Sequence, residues 1–359
     1  MRLEKISTAQ FRNLEPGTIE CSPGANVFTG PNGHGKTNIL EAIHFFKFGR
    51  SFRTSSDTDL IRFEEQFFRI VAAVVYDDGE RSELSATVDE YGAKRLKQNT
   101  QEISRLTDLV GNYPSVLFGP QDLRIINGYP AERRRFLDMA GSMVGRSYLD
   151  DARRYQRVLQ QRNAALKTGC TRDELRAWND ELVGVGSALI RHRKQAAGEL
   201  CFFVAEYAGT VFGSDRVELQ YACAVEHDGD PADCFAVQLA SLENEERRRK
   251  TTLAGPHKDD LVVTLGGNDI KRFGSQGQKR LCAVLLRLAE MRFLEKHLKE
   301  RCLLLLDDLF SELDEEHGAK LMEVLRDRNQ IFVTSPVPLV WRRAGETRAF
   351  RLQEGKVFL

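Results

Sequence analysis

Apolar and polar positions alternate through residues 3–11 and 17–20, and residues 26–29 form a short apolar run that stops at Gly30. Alternation at period two predicts half-buried strands, and an apolar run ending at glycine predicts a strand that enters a tight turn. Beyond the turn the period changes, because Ile39, Leu40, Ile43 and Phe46 recur at helical spacing within residues 36–48. A strand, a loop and a helix are therefore expected in succession around Gly30. Strand patterns return at residues 68–76, 83–89 and 115–118. These complete the first part of an α/β lobe.

Residues 121–210 are arginine-rich and helix-favouring, with Gly128, Gly141, Gly145 and Gly169 as expected breaks. Strand-like patterns follow at 217–225 and 260–265, then a long amphipathic helix at 276–298 and a buried strand at 302–306. The expected organisation is a discontinuous α/β lobe of residues 1–122 and 211–359, interrupted by a helical subdomain of residues 123–210. No repeat or extended heptad pattern is visible.

Composition narrows the function. With 359 residues, 42 % of them hydrophobic, the chain can bury a large core and is long enough for two lobes. Lys+Arg and Asp+Glu both number 52, so no overall positive field advertises nucleic acid, and any such contact must come from local patches. Seven scattered cysteines without paired CxxC spacing exclude a zinc ribbon or a redox motif and predict reduced thiols. The opening residues MRLEKISTAQFRN lack the apolar run of a signal peptide. No later stretch reaches the roughly 18 apolar residues of a membrane helix, and a soluble cytoplasmic protein is expected.

Gly30-Pro31-Asn32-Gly33-His34-Gly35-Lys36-Thr37 fits the phosphate-binding pattern GxxxxGK[ST] in the right place, after a strand and before a helix. Such a loop wraps phosphates with backbone N–H groups and adds the helix dipole. Lys36 is expected to reach the β- and γ-phosphates of ATP, and Thr37 to ligate Mg²⁺. The apolar run Leu303-Leu304-Leu305-Leu306 ends in Asp307-Asp308. P-loop proteins place acids this way, here Asp307 on the metal and Asp308 near the attacking water. The long separation of Lys36 from Asp307 argues against small kinases and GTPases and favours one ATPase lobe split by an insertion.

Gly274-Ser275-Gln276-Gly277-Gln278 stands just before the long predicted helix, where a serine and backbone amides can meet an anion. In order and position it resembles the signature motif of ABC ATPases, which acts in trans on the nucleotide of a second subunit; Ser275, Gln276, Gly277 and Gln278 are the corresponding residues. Phe118-Gly119-Pro120-Gln121-Asp122 ends a predicted strand, and Gln121 resembles the glutamine of the Q-loop, which senses Mg²⁺ and water.

Taken together, the segments Gln10-Phe11-Arg12-Asn13-Leu14, the P-loop, Phe118 to Leu123, Gly255-Pro256-His257-Lys258-Asp259-Asp260-Leu261, the signature, and Leu305 with Asp307 and Asp308 running into Ser311-Glu312-Leu313-Asp314 resemble the RecF family. These are compact relatives of SMC and Rad50 ATPase heads, and the likeness spans essentially the whole chain. It implies an ABC-type ATPase fold and an ATP-dependent, head-to-tail homodimer holding double-stranded DNA near single-strand/double-strand junctions. It also implies RecR and RecO as partners, with RecA loading at gaps as the outcome, and a phosphate contact from Arg12.

Two departures from ABC ATPases in general, Asp308 where Glu is usual and Thr334-Ser335-Pro336 where a switch histidine is usual, imply slow turnover. Candidate DNA contacts are Arg133, Arg134, Arg135, Arg191, Arg193, Lys194 and Lys258, although basic residues outnumber acidic ones by only 15 to 11 across 121–210 and solvated helix faces explain many such charges. Residues 243–250, acidic then basic, read as a self-pairing helix. Two other readings compete. A P-loop enzyme energising a small-molecule reaction would need a substrate pocket and rapid turnover without DNA. A structural module that uses ATP only to fix a dimer would tolerate Asp308→Asn.

Overall fold

The computed structural model describes residues 1–213, 216–225, 229–311, 313–325, 330–337 and 346–359. Contacts divide it into two compact units, Met1–Asp122 with Glu290–Leu359, and Leu123–Ala289.

The first unit opens with β1 (Arg2–Ala9), β2 (Gly17–Glu20), β3 (Ala25–Thr29) and helix α1 (Lys36–His44). β4 (Phe67–Val75), β5 (Arg81–Asp89), β6 (Lys94–Gln98), β7 (Gln101–Glu102) and β8 (Ser115–Phe118) follow. An antiparallel sheet runs β2-β1-β4-β5-β6-β7. Its strands alternate as their sequence does: Phe68, Ile70, Ala72 and Val74 of β4 and Leu84, Ala86 and Val88 of β5 are buried, with Arg69 and Glu83 on the open face. A one-sided antiparallel sheet requires this pattern. Strand β6 and the short β7 were not expected from the sequence pattern.

The second unit begins with α2 (Leu123–Asn127), α3 (Pro130–Val144), α4 (Arg146–Thr168) and the 41-residue α5 (Arg172–Phe212). Thr171 and Glu174 open α5 with a reciprocal capping box. Gly128, Gly145 and Gly169 fall between helices as expected, whereas Gly141 lies within α3. The aromatic ring of Tyr148 packs so closely there that a Cβ on Gly141 would stand 2.1 Å from Tyr148 Cε2. Next come β9 (Val217–Ala222), α6 (Pro231–Arg249), β10 (Asp260–Leu265), β11 (Asn268–Asp269), α7 (Ile270–Phe273) and α8 (Gln276–Leu298), which runs across the boundary into the first unit. In α6, Arg247 pairs with Glu243 at 3.0 Å and Arg249 with Glu245 at 2.6 Å, one turn apart.

The expected return to the α/β lobe at residue 211 is corrected here. β9 and β10 pair with each other over six residues, in a separate sheet of order β11-β10-β9, and belong to the unit that ends at Ala289. Alternation identifies a strand but not its partner, and these two satisfy one another.

After α8 the chain forms β12 (Leu303–Leu306), α9 (Glu315–Leu325), β13 (Ile331–Ser335), β14 (Thr347–Gln353) and β15 (Lys356–Phe358). These complete a second sheet of the first unit, ordered β15-β14-β3-β13-β12-β8, parallel except for the edge strand β15. β8, β12 and β13 are buried at every position, as continuous apolar runs in a parallel sheet should be. Phe11, Phe28, Phe45, Phe46, Phe68 and Phe332 form the centre of one core. Among the described residues all seven cysteines are free, no cluster of metal-ligating side chains appears, and no helix is long and apolar enough to cross a membrane.

Candidate functional site

The loop between β3 and α1 is shaped by its glycines. Gly30, Gly33 and Gly35 have φ of 151°, 82° and 102°, values that side chains disfavour. A Cβ on Gly30 would stand 2.3 Å from Leu352 O, so strand β14 leaves room only for glycine. α1 then starts with no acidic residue in its first turn and no side-chain cap, which leaves its N–H groups and dipole open to an anion. Lys36 Nζ donates to Gly30 O at 2.8 Å, Pro31 O at 3.1 Å and Asn32 Oδ1 at 3.3 Å. His34 ties the loop to the C-terminal hairpin: its Nδ1 accepts from Glu354 N–H at 3.0 Å, and its carbonyl accepts from Gly355 N–H at 3.3 Å. Asn13 Nδ2 adds a bond to Gly33 O at 3.0 Å.

Thr37 and the end of β12 come together. Thr37 Oγ1 donates to Asp307 Oδ1 at 2.8 Å, and Thr334 Oγ1 donates to the same oxygen at 2.9 Å. Thr334 Oγ1 also accepts the Asp308 N–H at 2.9 Å, which holds Asp308 at φ 48°, a left-handed conformation that Asp tolerates better than most residues. Burial raises the Asp307 carboxyl above its ordinary 3.8; the Thr37 and Thr334 hydroxyls counter this, and Asp308 adds to the rise. A divalent cation would reverse that balance by favouring the carboxylate. The donor set fits Mg²⁺, with a P-loop hydroxyl beside a buried carboxylate at a strand end. Gln121 follows β8 in a turn fixed by Gly119 N–H donating to Asp122 Oδ2 at 3.0 Å, and its Nε2 is a buried donor with no partner among the described residues. An orphaned amide donor suits a site that supplies an acceptor such as metal-bound water.

Arg12, in the turn after β1, reaches α1 at Glu41. Its Nε and Nη2 hold Glu41 at 3.0 and 2.9 Å, and Nη1 donates to Asp59 O at 2.9 Å. Glu41 is fully buried and also takes Ser51 Oγ at 2.5 Å and Arg53 Nη1 at 3.3 Å. Sequence reasoning missed Glu41, Arg53 and Asn38, whose Oδ1 accepts from Arg53 at 2.7 Å. It also missed the role of Thr334 in holding both acids, although the apolar run before Thr334 marks a strand end.

In the second unit Ser275 is exposed at the start of α8 and makes a capping box with Gln278: Gln278 N–H donates to Ser275 Oγ at 3.2 Å, and Ser275 N–H to Gln278 Oε1 at 2.9 Å. Gln276 and Gly277 are exposed beside it. Of the acidic segment after Asp308, Ser311 Oγ donates to Asp308 O at 2.6 Å and Asp314 caps α9 through His317 N–H at 3.0 Å, whereas Glu312 lies outside the described residues.

Two of the candidate DNA contacts are corrected. Arg133 is buried in a bidentate pair with Asp260 at 2.6 and 2.9 Å, and Arg193 is buried against Asp138 at 2.8 Å and Asp259 at 3.0 Å. Arg134 is half-buried, its Nη1 on Asp259 O at 2.6 Å, with burial and the Arg193 charge lowering its pKa. Positive charge in this stretch was read as surface, yet its partners come from distant carboxylates. Arg135, Arg191, Lys194 and Lys258 are exposed. His257 is structural: its Nδ1 pairs with Tyr155 Oη at 2.7 Å, its Nε2 with Thr252 O at 3.1 Å, and burial pushes its pKa down to about 4.

The family model described as RecF/RecN/SMC N terminal domain matches residues 2–357. The DNA replication and repair protein RecF of Symbiobacterium thermophilum is 38% identical over 100% of this chain and 98% of its own, and that of Heliobacterium modesticaldum is 33% identical over 99% of each. A solved structure of the recombination mediator protein RecF with ATP, in the RecFOR pathway, superposes with a TM-score of 0.90 at 28% identity, covering 99% of this chain and 96% of that one. An Smc head domain from Pyrococcus furiosus shares the fold, with a TM-score of 0.61 at 17% identity. With its P-loop, its paired acids and its ABC-type architecture, this chain belongs to the RecF family of DNA replication and repair proteins.

Proposed function

We propose that the chain is an ATP-operated DNA clamp. ATP and Mg²⁺ bind through Gly30 to Thr37 with Asp307 and Gln121, and Arg12 approaches the phosphates from its place on Glu41. ATP then closes a homodimer in which Ser275 to Gln278 of each copy meet the nucleotide of the other. The dimer grips double-stranded DNA beside a single-strand/double-strand junction. With RecR and RecO as cytoplasmic partners it supports RecA loading at gaps, and slow hydrolysis stimulated by DNA releases the clamp. The carrying observation is the junction of Thr37, Asp307 and Thr334 around one carboxylate oxygen. Support for slow turnover comes from Asp308, one methylene shorter than Glu, and from the hydroxyl of Thr334 at the place where a histidine would act as the switch.

Sedimentation and gapped-duplex binding, each with ATP, with ADP and without nucleotide, test the reading. ATP alone should give a DNA-binding dimer, lost in Ser275→Arg and Lys36→Arg. A chain that stays monomeric and ignores DNA while hydrolysing ATP rapidly would be a metabolic P-loop enzyme instead.

A further inference from the structure

The open face of the antiparallel sheet carries an unusual surface at one end. Phe63 and Tyr91 are each 88% exposed and Phe67 is 39% exposed. They lie at the same end of the sheet: Phe67 stands opposite Asp89 in the β4–β5 register, and Glu90 N–H donates to Gln66 O at 2.8 Å, tying the turn that bears Tyr91 to the segment between Phe63 and Phe67. One row further along the same face, register places Ala9, Arg69, Thr87 and Arg95 side by side. Arg69 and Arg95 are exposed and have no ion-pair partner among the described residues, unlike Arg62, which pairs with Glu15 at 2.6 Å. The next row is Ser7, Val71, Ser85 and Lys97. The floor between the cations is therefore made of small side chains.

An open sheet face alone is ordinary for an antiparallel sheet. Three exposed aromatic rings beside two uncommitted guanidinium groups are not, because exposed rings are costly and arginines find carboxylates readily when these are at hand. Rings offer stacking to any base, guanidinium groups pair with phosphates, and a flat floor of Ala, Thr, Val and Ser lets a chain lie close. A duplex shields its bases inside the stack, so the rings are useful only to a strand with bases unpaired.

We propose that Phe63, Phe67 and Tyr91 with Arg69 and Arg95 form a binding surface for single-stranded DNA, stacking unpaired bases on the rings and holding phosphates on the arginines. The inference rests on the clamp reading above and deepens it: one surface grips the duplex while this one takes the single-stranded arm of the junction.

The test is fluorescence anisotropy with the full chain, ATP and Mg²⁺, on three labelled probes: a thymidine oligonucleotide, a blunt duplex, and the same duplex with a single-stranded arm. Phe63→Ala/Tyr91→Ala should weaken the oligonucleotide by at least about tenfold and abolish the advantage of the armed duplex over the blunt one. Affinity for the blunt duplex should be unchanged. Arg69→Ala/Arg95→Ala should reduce the slope of log affinity against log salt on the oligonucleotide by about 1.4, for two lost phosphate contacts. All four side chains are exposed, and unchanged thermal unfolding will confirm the fold. Oligonucleotide binding that survives both double substitutions, or equal losses on all three probes, overturns the proposal. A wild-type chain that binds none of the probes sinks the clamp reading itself, which is a separate result.

Discussion

Lys47 Nζ stands 2.8 Å from Glu290 Oε1, and both side chains are buried, with 2% and 1% exposure. Lys47 follows α1, which begins at the P-loop, and Glu290 lies on α8. A buried pair of this kind does little for net stability but punishes the loss of one partner, because the other is left charged and unsolvated. Lys47→Met or Glu290→Gln is therefore expected to cost about 3–5 kcal/mol, while Lys47→Met/Glu290→Met recovers most of it. Urea unfolding of the three variants measures this; equal losses for single and double variants would refute it.

Thr334→Val removes the hydroxyl that donates to Asp307 and accepts from Asp308. Hydrogen bonds to charged groups contribute about 1.5–3 kcal/mol, so hydrolysis should fall roughly 10- to 100-fold while nucleotide binding persists. Thr334→Ser should retain most activity. Phosphate release alongside binding of a fluorescent ATP analogue separates the two effects.

Asp308→Asn keeps the shape of the strand end but removes the carboxylate expected to polarise water. A loss of at least about 100-fold in hydrolysis is expected, with the ATP-bound dimer long-lived rather than absent. Wild-type turnover in this variant would favour a module that needs ATP only as glue.

His257 gives a pH dependence with a definite sign. Burial lowers its pKa from the ordinary 6.5 to about 4, so the folded chain holds the neutral ring where the unfolded chain takes up a proton. The resulting stability is fully present above pH 6.5 and is lost as pH falls towards 4, by roughly 3 kcal/mol in all. Unfolding free energies of wild type and His257→Gln should differ less at pH 4 than at pH 7.5. A constant difference across that range would show that the ring titrates normally.

Gly141→Ala should lower stability by about 1–3 kcal/mol, since the new Cβ would overlap Tyr148 and helix α3 would have to shift. Tyr148→Leu in the same background should restore part of that loss in a thermal melt.

How far these features could be read from the amino-acid order depends on the distance between partners. The loop from Gly30 to Thr37 was legible because its phosphate chemistry is contiguous, and Leu303 to Asp308 because a buried strand and its terminal acids are adjacent. Arg133 and Arg193 misled because Asp260, Asp138 and Asp259 lie far along the chain, and a charge count cannot tell a buried pair from a surface patch. Strands β9 and β10 were legible as strands, yet alternation carries no address for the sheet they join. Glu41 was hidden for a different reason: it occupies a helical position where a solvated acid is the ordinary expectation, and only the fold brings Arg12, Ser51 and Arg53 onto it.

The P-loop strand β3 has both of its sheet neighbours, β13 and β14, beyond residue 330, and Glu354 and Gly355 brace His34 within the loop. The loop is thus held by chain far downstream of it, and its flanking strands follow it by nearly the whole span from Gly30 to residue 330. A fragment that stops short of residue 330 therefore carries the entire phosphate-binding motif without either of the strands that flank it.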